Sequence, residues 1–228
     1  MSSAPIDYFS LRHPLRRLAS RVALRVRRQM FADFMAVMQP GLADRILDVG
    51  VTPDRSLPDS NFFEKWYPYP QRVVATSIED AAFLQQEHPG LKFVQTGKAG
   101  LPFRDRAFDI VFCSAVIEHV GDRRHQRRFL GELLRIAQRF FILTPNRLYP
   151  IEFHTFLPLL HWLPTAQYQS VLRLLGMGFW SQTENLNLLT PYTLQTLFPT
   201  GSRVAIRRQT LLGLPSNIIA YGKTPLPV

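Results

Sequence analysis

Polar side chains that can move protons follow an apolar run in the middle of the chain. Residues 108–121 read FDIVFCSAVIEHVG, in which Ile110 to Phe112 have the pattern of a buried strand and Ser114, Glu118 and His119 come directly after it. In open α/β sheets, ligands bind beyond the carboxyl ends of the strands, so we expect these three side chains to meet a ligand. The alternative is a buried strand followed by a solvated turn.

A second pair of such residues, Glu152 and His154, follows a later strand in the segment PNRLYPIEFH. The two residues are two positions apart, so their side chains point to the same side if the backbone is extended. They either assist the loss of a proton from an acceptor or anchor an irregular segment by ordinary hydrogen bonds. The candidate catalytic residues are His119, Glu118, His154 and Glu152, and no metal site is predicted.

Composition limits the class of protein. The 228 residues, 46% of them hydrophobic, predict one sizeable domain with a substantial core. The net charge of +10 can attract nucleic acid or anionic lipid, but it can also belong to a solvated surface. Cys113 is the only cysteine, which excludes an intramolecular disulfide and agrees with a reducing cytoplasm. The longest apolar stretches are shorter than the roughly 20 residues of a membrane span.

Apolar runs alternate with amphipathic segments along most of the chain. This alternation predicts an α/β fold with a parallel sheet and right-handed crossovers. The last two strands are joined at Gly213-Leu214-Pro215 and are too close for a crossover helix, so we expect an antiparallel hairpin. The predicted strands are 45–50, 72–78, 92–96, the run from 108, 139–144, 203–212 and 216–221; the predicted helices are 11–38, 62–67, 79–87, 123–138, 165–176 and 191–198.

Arginines are concentrated in the predicted N-terminal helix. We expect residues 1–41 to form a basic amphipathic helix packed on a domain of residues 42–228, in which 145–200 form an aromatic, proline-rich cap. The arginine face can also lie on an anionic membrane, where each basic residue adds about 1 kcal/mol. A mitochondrial transit peptide is the alternative interpretation. The apolar stripe comprises Leu11, Leu15, Leu18, Val22, Val26, Met30, Phe34 and Met38.

Three segments together resemble the class I S-adenosylmethionine-dependent methyltransferases of type 11. They are ILDVG at 46–50, LPFRDRAFDIVFCSAVIEHVGD at 101–122 and RFFILTPN at 139–146. The resemblance spans about residues 45–146. It implies a Rossmann-like sheet of seven strands, mostly parallel with an antiparallel last strand and helices on both faces, and it implies S-adenosyl-L-methionine as the cofactor.

The resemblance also places the cofactor contacts. The family pattern acidic-x-Gly-x-Gly-x-Gly falls on residues 48–54, where the acid and the first glycine are retained and Thr52 and Asp54 replace the other two glycines. The ribose-binding acid falls at Ser77, with Glu79 as a substitute, and the adenine-edge acid falls near Gly97. The candidate cofactor-binding residues are Asp48, Gly50, Thr52, Ser77, Glu79, Gly97, Lys98, Ser114 and Ala115.

The resemblance implies methyl transfer as the function. Together with the predicted aromatic cap, it favours a small-molecule, lipid-linked or surface-glycan acceptor. We expect a cytoplasmic protein that contacts anionic membrane peripherally through its arginine helix and has no specific nucleic-acid partner. A non-catalytic methyltransferase-like module at a membrane or protein surface remains open because of the altered cofactor positions. An RNA methyltransferase remains open because of the charge, although no RNA-binding module is recognisable. The predicted aromatic cap contains Phe153, Phe156, Leu157, Leu159, Leu160, His161 and Trp162.

Overall fold

The structure is a computed structural model that describes residues 15–97 and 100–225, with the side chains of the first helix described from Val22 onward. Among these residues, no helix combines the length and the apolar character that crossing a bilayer requires. The helices are α1 (Leu15–Met38), α2 (Phe62–Trp66), α3 (Leu84–Glu87), α4 (Arg123–Ile136), α5 (Thr165–Leu174) and α6 (Pro191–Gln195). The strands are β1 (Ile46–Val49), β2 (Val73–Ser77), β3 (Lys92–Gln95), β4 (Phe108–Ser114), β5 (Ala137–Pro145), β6 (Val204–Leu211) and β7 (Leu214–Lys223).

The seven strands have the order β3-β2-β1-β4-β5-β7-β6. Strands β1, β2 and β3 pair in parallel, and so do β4 and β5, whereas β7 runs antiparallel to both β5 and β6. Helices flank the sheet. The predicted Rossmann-like sheet with an antiparallel last strand is therefore confirmed.

The chain divides into two compact units, Met1–Ala99 and Gly100–Val228. The predicted division at residue 41, with a cap at 145–200, stays a prediction.

Aromatic side chains form the core of the first unit where α1 meets α2. The Phe34 and Phe63 rings make an edge contact with their centroids 5.1 Å apart, and Phe31 makes a similar contact with Trp66 at 5.8 Å. The predicted apolar stripe is buried at Met30, Phe34 and Met38 but exposed at Val22. The side chains of Leu11, Leu15 and Leu18 lie outside the described residues, and those described pack through the C-terminal part of α1.

The second unit is built on β4 and β5, whose side chains are almost all buried. Phe112 and Phe141 stack with their ring centroids 6.0 Å apart. Asp122 caps the start of helix α4, and its side chain accepts the His125 N–H at 2.9 Å. The helix ends at Ile136, and β5 begins at the next residue. This strand therefore starts two residues earlier than its predicted start at Arg139.

Two predicted elements differ from the structure for local reasons. The helix predicted at 79–87 exists only as α3, because side chains of Ser77 and Asp80 accept the backbone N–H groups of Glu79 and Ala82 and hold turns in place of helix. The hairpin turn lies at 212–213 instead of 213–215. Leu212 and Gly213 both have positive φ (53° and 79°), as a two-residue turn of type I′ requires.

A close approach of the backbone at Gly222 in β7 yields a testable prediction. A Cβ atom there would lie 2.4 Å from Arg203 O and 3.0 Å from Phe140 Cζ. We expect Gly222→Ala to lower the free energy of unfolding by about 1–3 kcal/mol, because the strand cannot move away without breaking its pairing. Thermal unfolding would show a Tm lower by roughly 2–4 °C per kcal/mol.

Gly131→Ala is the matched control. Gly131 lies within α4, and no atom is within 4 Å of the position of an added Cβ. This substitution should raise the free energy of unfolding by about 0.5–1 kcal/mol, since alanine favours the helix. An unchanged Tm for Gly222→Ala would show that β7 adjusts without cost.

Candidate active site

The loop after β1 departs from the glycine-rich pattern without backbone strain. Gly50 has a φ of 99°, in the left-handed region that favours glycine, and its N–H donates to Thr76 O at 2.8 Å. Thr52 and Asp54, which replace the other two glycines, lie outside that region. The loop therefore keeps a glycine where its backbone requires one.

Polar side chains hold the rest of this loop. Asn61 accepts the Thr52 N–H through Oδ1 and donates from Nδ2 to Thr52 O, both at 2.9 Å. Asp54 accepts the hydroxyls of Ser56 and Ser60, each at 2.6 Å, and the Ser56 N–H at 3.0 Å. Burial opposes ionisation of Asp54, but these hydrogen bonds outweigh it and lower the pKa of Asp54. Side-chain hydrogen bonds thus determine the conformation of a loop that is usually rich in glycine.

Asp48, the acid of the pattern, faces a second carboxyl group. It lies in β1, Glu64 lies in α2, and both side chains are buried. Burial raises the pKa of both groups, and the neighbouring Glu64 raises the pKa of Asp48 further. The Glu64 oxygens have no donor within the described ranges unless one of the two acids is protonated. The pair therefore keeps a proton to a higher pH than ordinary carboxyl groups do.

The other cofactor candidates of the first unit lie near the ends of β2 and β3. Ser77 is buried, and its Oγ accepts the Glu79 N–H at 3.2 Å. Glu79 is half-buried and Gly97 is exposed, whereas Lys98 lies outside the described residues. The oxygens of Ser77 and Glu79 are acceptors of the kind that ribose hydroxyls need.

A left-handed residue redirects the chain at the end of β4. Ser114 is the last, half-buried residue of the strand, and Ala115 follows with a φ of 56°. This conformation costs a non-glycine residue about 1 kcal/mol, and such strain is concentrated at functional sites. A single 3₁₀ turn, Ile117–His119, comes next. Both predicted catalytic residues of this segment, Glu118 and His119, lie in that turn.

Neighbouring segments hold the turn through hydrogen bonds. The Asn187 N–H donates to Glu118 O at 2.8 Å, and Asn187 Nδ2 donates to Gly121 O at 2.8 Å. Gln126, which is buried in α4, donates to Ile117 O at 3.0 Å and to Asn187 O at 2.8 Å. The orientation of the turn therefore depends on both α4 and the segment around residue 187.

Glu118 is fully buried. Its Oε2 accepts the Thr144 hydroxyl at 2.9 Å, while its Oε1 has no hydrogen-bond partner among the residues described. Burial raises the pKa of Glu118 to about 7, against the opposing influence of His154. The carboxyl group thus changes its charge near neutral pH, where a general base works best.

His119 is held as a neutral ring. Its Nδ1 lies 2.6 Å from Asn185 O, and because a carbonyl oxygen only accepts, Nδ1 carries the hydrogen and Nε2 the lone pair. Burial and the neighbouring His154 lower the pKa of His119 to about 3. The Nε2 atom is 3.9 Å from Glu118 Oε1.

Glu152 and His154 meet through a turn at 153–155 and not along an extended backbone. Glu152 Oε1 accepts the His154 N–H at 3.0 Å and lies 2.6 Å from His154 Nδ1, while Oε2 accepts the N–H and hydroxyl of Thr155 at 2.6 and 2.7 Å. Burial disfavours both charges, but these contacts lower the pKa of Glu152 to about 2 and raise the pKa of His154. The two residues form a buried ion pair.

The structure brings all four predicted catalytic residues into one cluster within the second unit. The His119 and His154 rings are nearly perpendicular, with centroids 4.7 Å apart. Trp180 lies beside both rings, at 6.2 Å from the first and 5.0 Å from the second. We refer to Glu118, His119, Glu152 and His154 as the acid–histidine cluster.

Three residues around this cluster were missed by the sequence analysis. Thr144 is a polar residue at the end of the apolar run FFILT, and that signal could have identified it. Asn185 acts through its backbone oxygen, and Trp180 through its ring, so neither contact has a sequence pattern that predicts it.

A family model described as a methyltransferase domain matches residues 57–139, from the loop after β1 into β5. The match covers less than half of the chain, and over these residues the chain is similar to a methyltransferase domain. The matched residues include the turn that carries Glu118 and His119 but begin after the altered glycine pattern. No curated protein matches the chain.

Solved structures, methyltransferases among them, share the fold of this chain. Magnesium protoporphyrin IX methyltransferase from Synechocystis PCC 6803, solved with bound SAH, is 15% identical over 94% of this chain and 90% of that one, with a TM-score of 0.55. An S-adenosylmethionine-dependent methyltransferase from Mesorhizobium loti is 13% identical over 87% and 99%, with a TM-score of 0.56. The YcgJ protein of Bacillus subtilis is 18% identical over 80% and 71%, with a TM-score of 0.53. At these identities the likeness concerns the fold.

The residues at the positions expected for S-adenosylmethionine fit this cofactor. Gly50 retains the left-handed φ that permits close approach of a ligand to the backbone. Ser77 and Glu79 offer oxygen acceptors after β2. Because Thr52 and Asp54 need no positive φ, their replacement of glycine does not strain the loop.

The Asp48–Glu64 pair yields a prediction for stability. The pKa values of the pair are raised in the folded protein. As pH rises above the usual carboxyl range, the unfolded chain releases a proton that the folded protein still holds. The free energy of unfolding therefore falls as pH rises from that range toward the raised pKa values. Glu64→Gln removes one acid and gives Asp48 an amide donor. We expect it to raise the free energy of unfolding by about 1–3 kcal/mol at pH 8 and by less at pH 5, as measured by thermal unfolding.

Glu184→Gln, at an exposed glutamate, should change stability little at either pH. If Glu64→Gln destabilises the protein equally at both pH values, the two carboxyl groups do not share a proton.

Proposed function

We propose that the protein transfers a methyl group to a hydroxyl oxygen of a lipid-linked or glycan acceptor that is partly apolar. The observation that carries this proposal is the acid–histidine cluster, which combines a buried carboxyl group of pKa about 7 with a neutral histidine. A hydroxyl acceptor is the class that needs such groups, because it must lose its proton as it is methylated.

S-adenosylmethionine, when bound, supplies a methyl group on a sulfonium, whose transfer breaks an S–C bond, forms an O–C bond and releases the hydroxyl proton. Gly50, Ser77 and Glu79 would hold this cofactor. Glu118 and His119 would assist the loss of the proton, and the Glu152–His154 ion pair fixes the ring of His154 beside them. Alignment of the reacting groups and exclusion of water supply most of the remaining rate.

The exposed side chains of the cap support a partly apolar acceptor. Phe156, Leu159 and Trp162 are each about half exposed, and the first two have positive φ. Ile151 bridges to Pro158, which closes the short loop between them. Large apolar side chains displayed on a constrained loop suit contact with an acyl or polyprenyl chain.

A non-catalytic module is the second candidate function. It is favoured by the loop at 51–61, where Asn61 and Asp54 make hydrogen bonds to the loop itself. Cofactor binding distinguishes the two candidates.

Isothermal titration with S-adenosylmethionine and its demethylated product should detect binding in a range of roughly 1 µM to 1 mM. Asn61→Ala should weaken this affinity at least about tenfold, because the loop loses both hydrogen bonds to Thr52. Glu118→Gln, on the acceptor side, should leave it unchanged. If neither ligand binds the wild-type protein at concentrations above this range, the enzymatic proposal fails.

Membrane contact through α1 is tested separately. Arg25 and Arg28 are exposed, whereas Arg27 pairs with Asp59 at 2.9 Å. Replacing Arg25 and Arg28 with Gln should weaken binding to anionic liposomes by about 2 kcal/mol, roughly 30-fold, in sedimentation at low salt.

The matched control replaces two exposed arginines of α4, Arg124 and Arg128, with Gln. Equal losses in both double variants would indicate attraction by net charge alone. Failure of the wild-type protein to sediment with liposomes at any salt concentration would exclude the membrane contact.

A further inference from the structure

Three metal-binding side chains converge within the acid–histidine cluster. One carboxylate oxygen of Glu118 and one ring nitrogen each of His119 and His154 all lie within 4.8 Å of one another. Two histidines and a carboxylate are a common ligand set for divalent transition metals. The sequence predicted no metal site, because these donors come from two distant segments with no recognisable metal-binding spacing.

Both histidine rings are oriented as metal-binding histidines usually are. Such rings bind the metal through one nitrogen and donate the other N–H to a carbonyl or carboxylate oxygen. Here His119 Nδ1 lies 2.6 Å from Asn185 O, and His154 Nδ1 lies 2.6 Å from Glu152 Oε1. In each ring, Nε2 is therefore the nitrogen that can bind an ion, and His154, which is charged in its ion pair with Glu152, releases its Nε2 proton when the ion binds.

The Glu118 carboxylate supplies the third donor through its Oε1 atom. Its Oε2 is occupied by Thr144, while Oε1 is buried and makes no hydrogen bond to any residue that the structure describes. A buried carboxylate oxygen without a partner is costly, and most such atoms in proteins are satisfied. The distance of 3.9 Å between Oε1 and His119 Nε2 is too long for a hydrogen bond between them.

The 3.9 Å between Glu118 Oε1 and His119 Nε2 is close to the spacing of two atoms that bind the same metal ion. Ligand atoms of a tetrahedral zinc site are separated by roughly 3.4 Å, since the bonds are about 2.0–2.1 Å long. A change of a few tenths of an ångström would bring Glu118 Oε1 and His119 Nε2 to that spacing. Flexible side-chain torsions can make such a change without moving the backbone.

The two histidine side chains of the cluster keep limited contact with solvent. The side chains of His119 and His154 are 12% and 11% exposed, whereas Glu118 is completely buried. A site with three protein ligands and an open position is typical of catalytic metals, whereas structural metals have four protein ligands.

We propose that Glu118, His119 and His154 bind one divalent transition-metal ion of the zinc type, with Glu152 and Asn185 O as the groups that position the two rings. Imidazole ligands select such ions over Mg²⁺ and Ca²⁺. When the ion is bound, Glu118 and His119 serve as its ligands and not as bases. The open position then takes the hydroxyl oxygen of the acceptor and lowers the pKa of that hydroxyl, so its proton passes to water. This last role rests on the proposed function, whereas the binding of the ion does not.

Metal binding is tested on the full chain after removal of metals by a chelator. Calorimetric titration with Zn²⁺ should give one site per chain, and Co²⁺ should give visible absorption bands with the intensity of low-coordinate cobalt. Mg²⁺ should not bind at this site. Absence of any Zn²⁺ or Co²⁺ binding by the wild-type protein would overturn the proposal.

Variants identify the ligands. Glu118→Gln, His119→Ala and His154→Ala should each weaken Zn²⁺ binding by more than about 100-fold, and Glu152→Gln, which alters a positioning residue, by about 10–100-fold. His125→Ala is the matched control, since His125 is exposed and pairs with Asp122 at 2.8 Å. If His125→Ala reduces binding while His154→Ala does not, the ion binds at the surface and the proposal is wrong.

Chemical protection tests the wild-type protein without relying on variants that fail to fold. Zn²⁺ should protect His119 and His154, but not His125, from acylation by diethyl pyrocarbonate, as read by peptide mass spectrometry. Equal modification of all three with and without Zn²⁺ would contradict the proposal. Titration with the demethylated cofactor separates the metal site from the proposed function. If the ion binds and the cofactor does not, the metal site stands and the proposed function fails. If the cofactor binds and the ion does not, the proposed function stands and the metal site is wrong.

Discussion

The arrangement of the acid–histidine cluster in the second unit depends on a carboxyl group that has no contact with water. Glu118 must be either protonated or compensated by positive charge, because an isolated buried carboxylate is strongly disfavoured. The surrounding contacts supply partial compensation: one hydrogen bond from Thr144 and the nearby charge of His154, which is itself held by Glu152. The charge that partly compensates Glu118, in the turn after β4, therefore depends on the turn at 153–155, which positions His154.

The first unit shows how a loop can lose glycines and keep a defined shape. Glycine is needed only where φ is positive, and in the pattern at residues 48–54 that condition holds at Gly50. At Thr52 and Asp54, where glycines are usual, hydrogen bonds with the side chains of Asn61, Ser56 and Ser60 hold the loop in place. Divergence from a glycine motif can therefore leave a ligand loop ordered while changing which chemical groups it presents.

The strands were predictable from sequence because apolar runs such as 110–112 and 140–143 have no other stable place than the centre of a sheet. The turn at Leu212-Gly213 was displaced by one residue, since the sequence did not reveal that leucine would accept a positive φ. For the site, the residue types at 118, 119, 152 and 154 were sufficient to select the candidates. Their mutual distances were not predictable, because they depend on how an irregular cap folds back, and Asn185 contributes only its backbone.

The segment around residues 185–187 has a consequence for motion. It fixes the ring of His119 through one carbonyl and the backbone of Glu118 through one amide, and it also closes on Gln126. Local opening of this segment would release all three contacts together. Opening of this segment and loss of the geometry of the acid–histidine cluster would therefore form a single cooperative step.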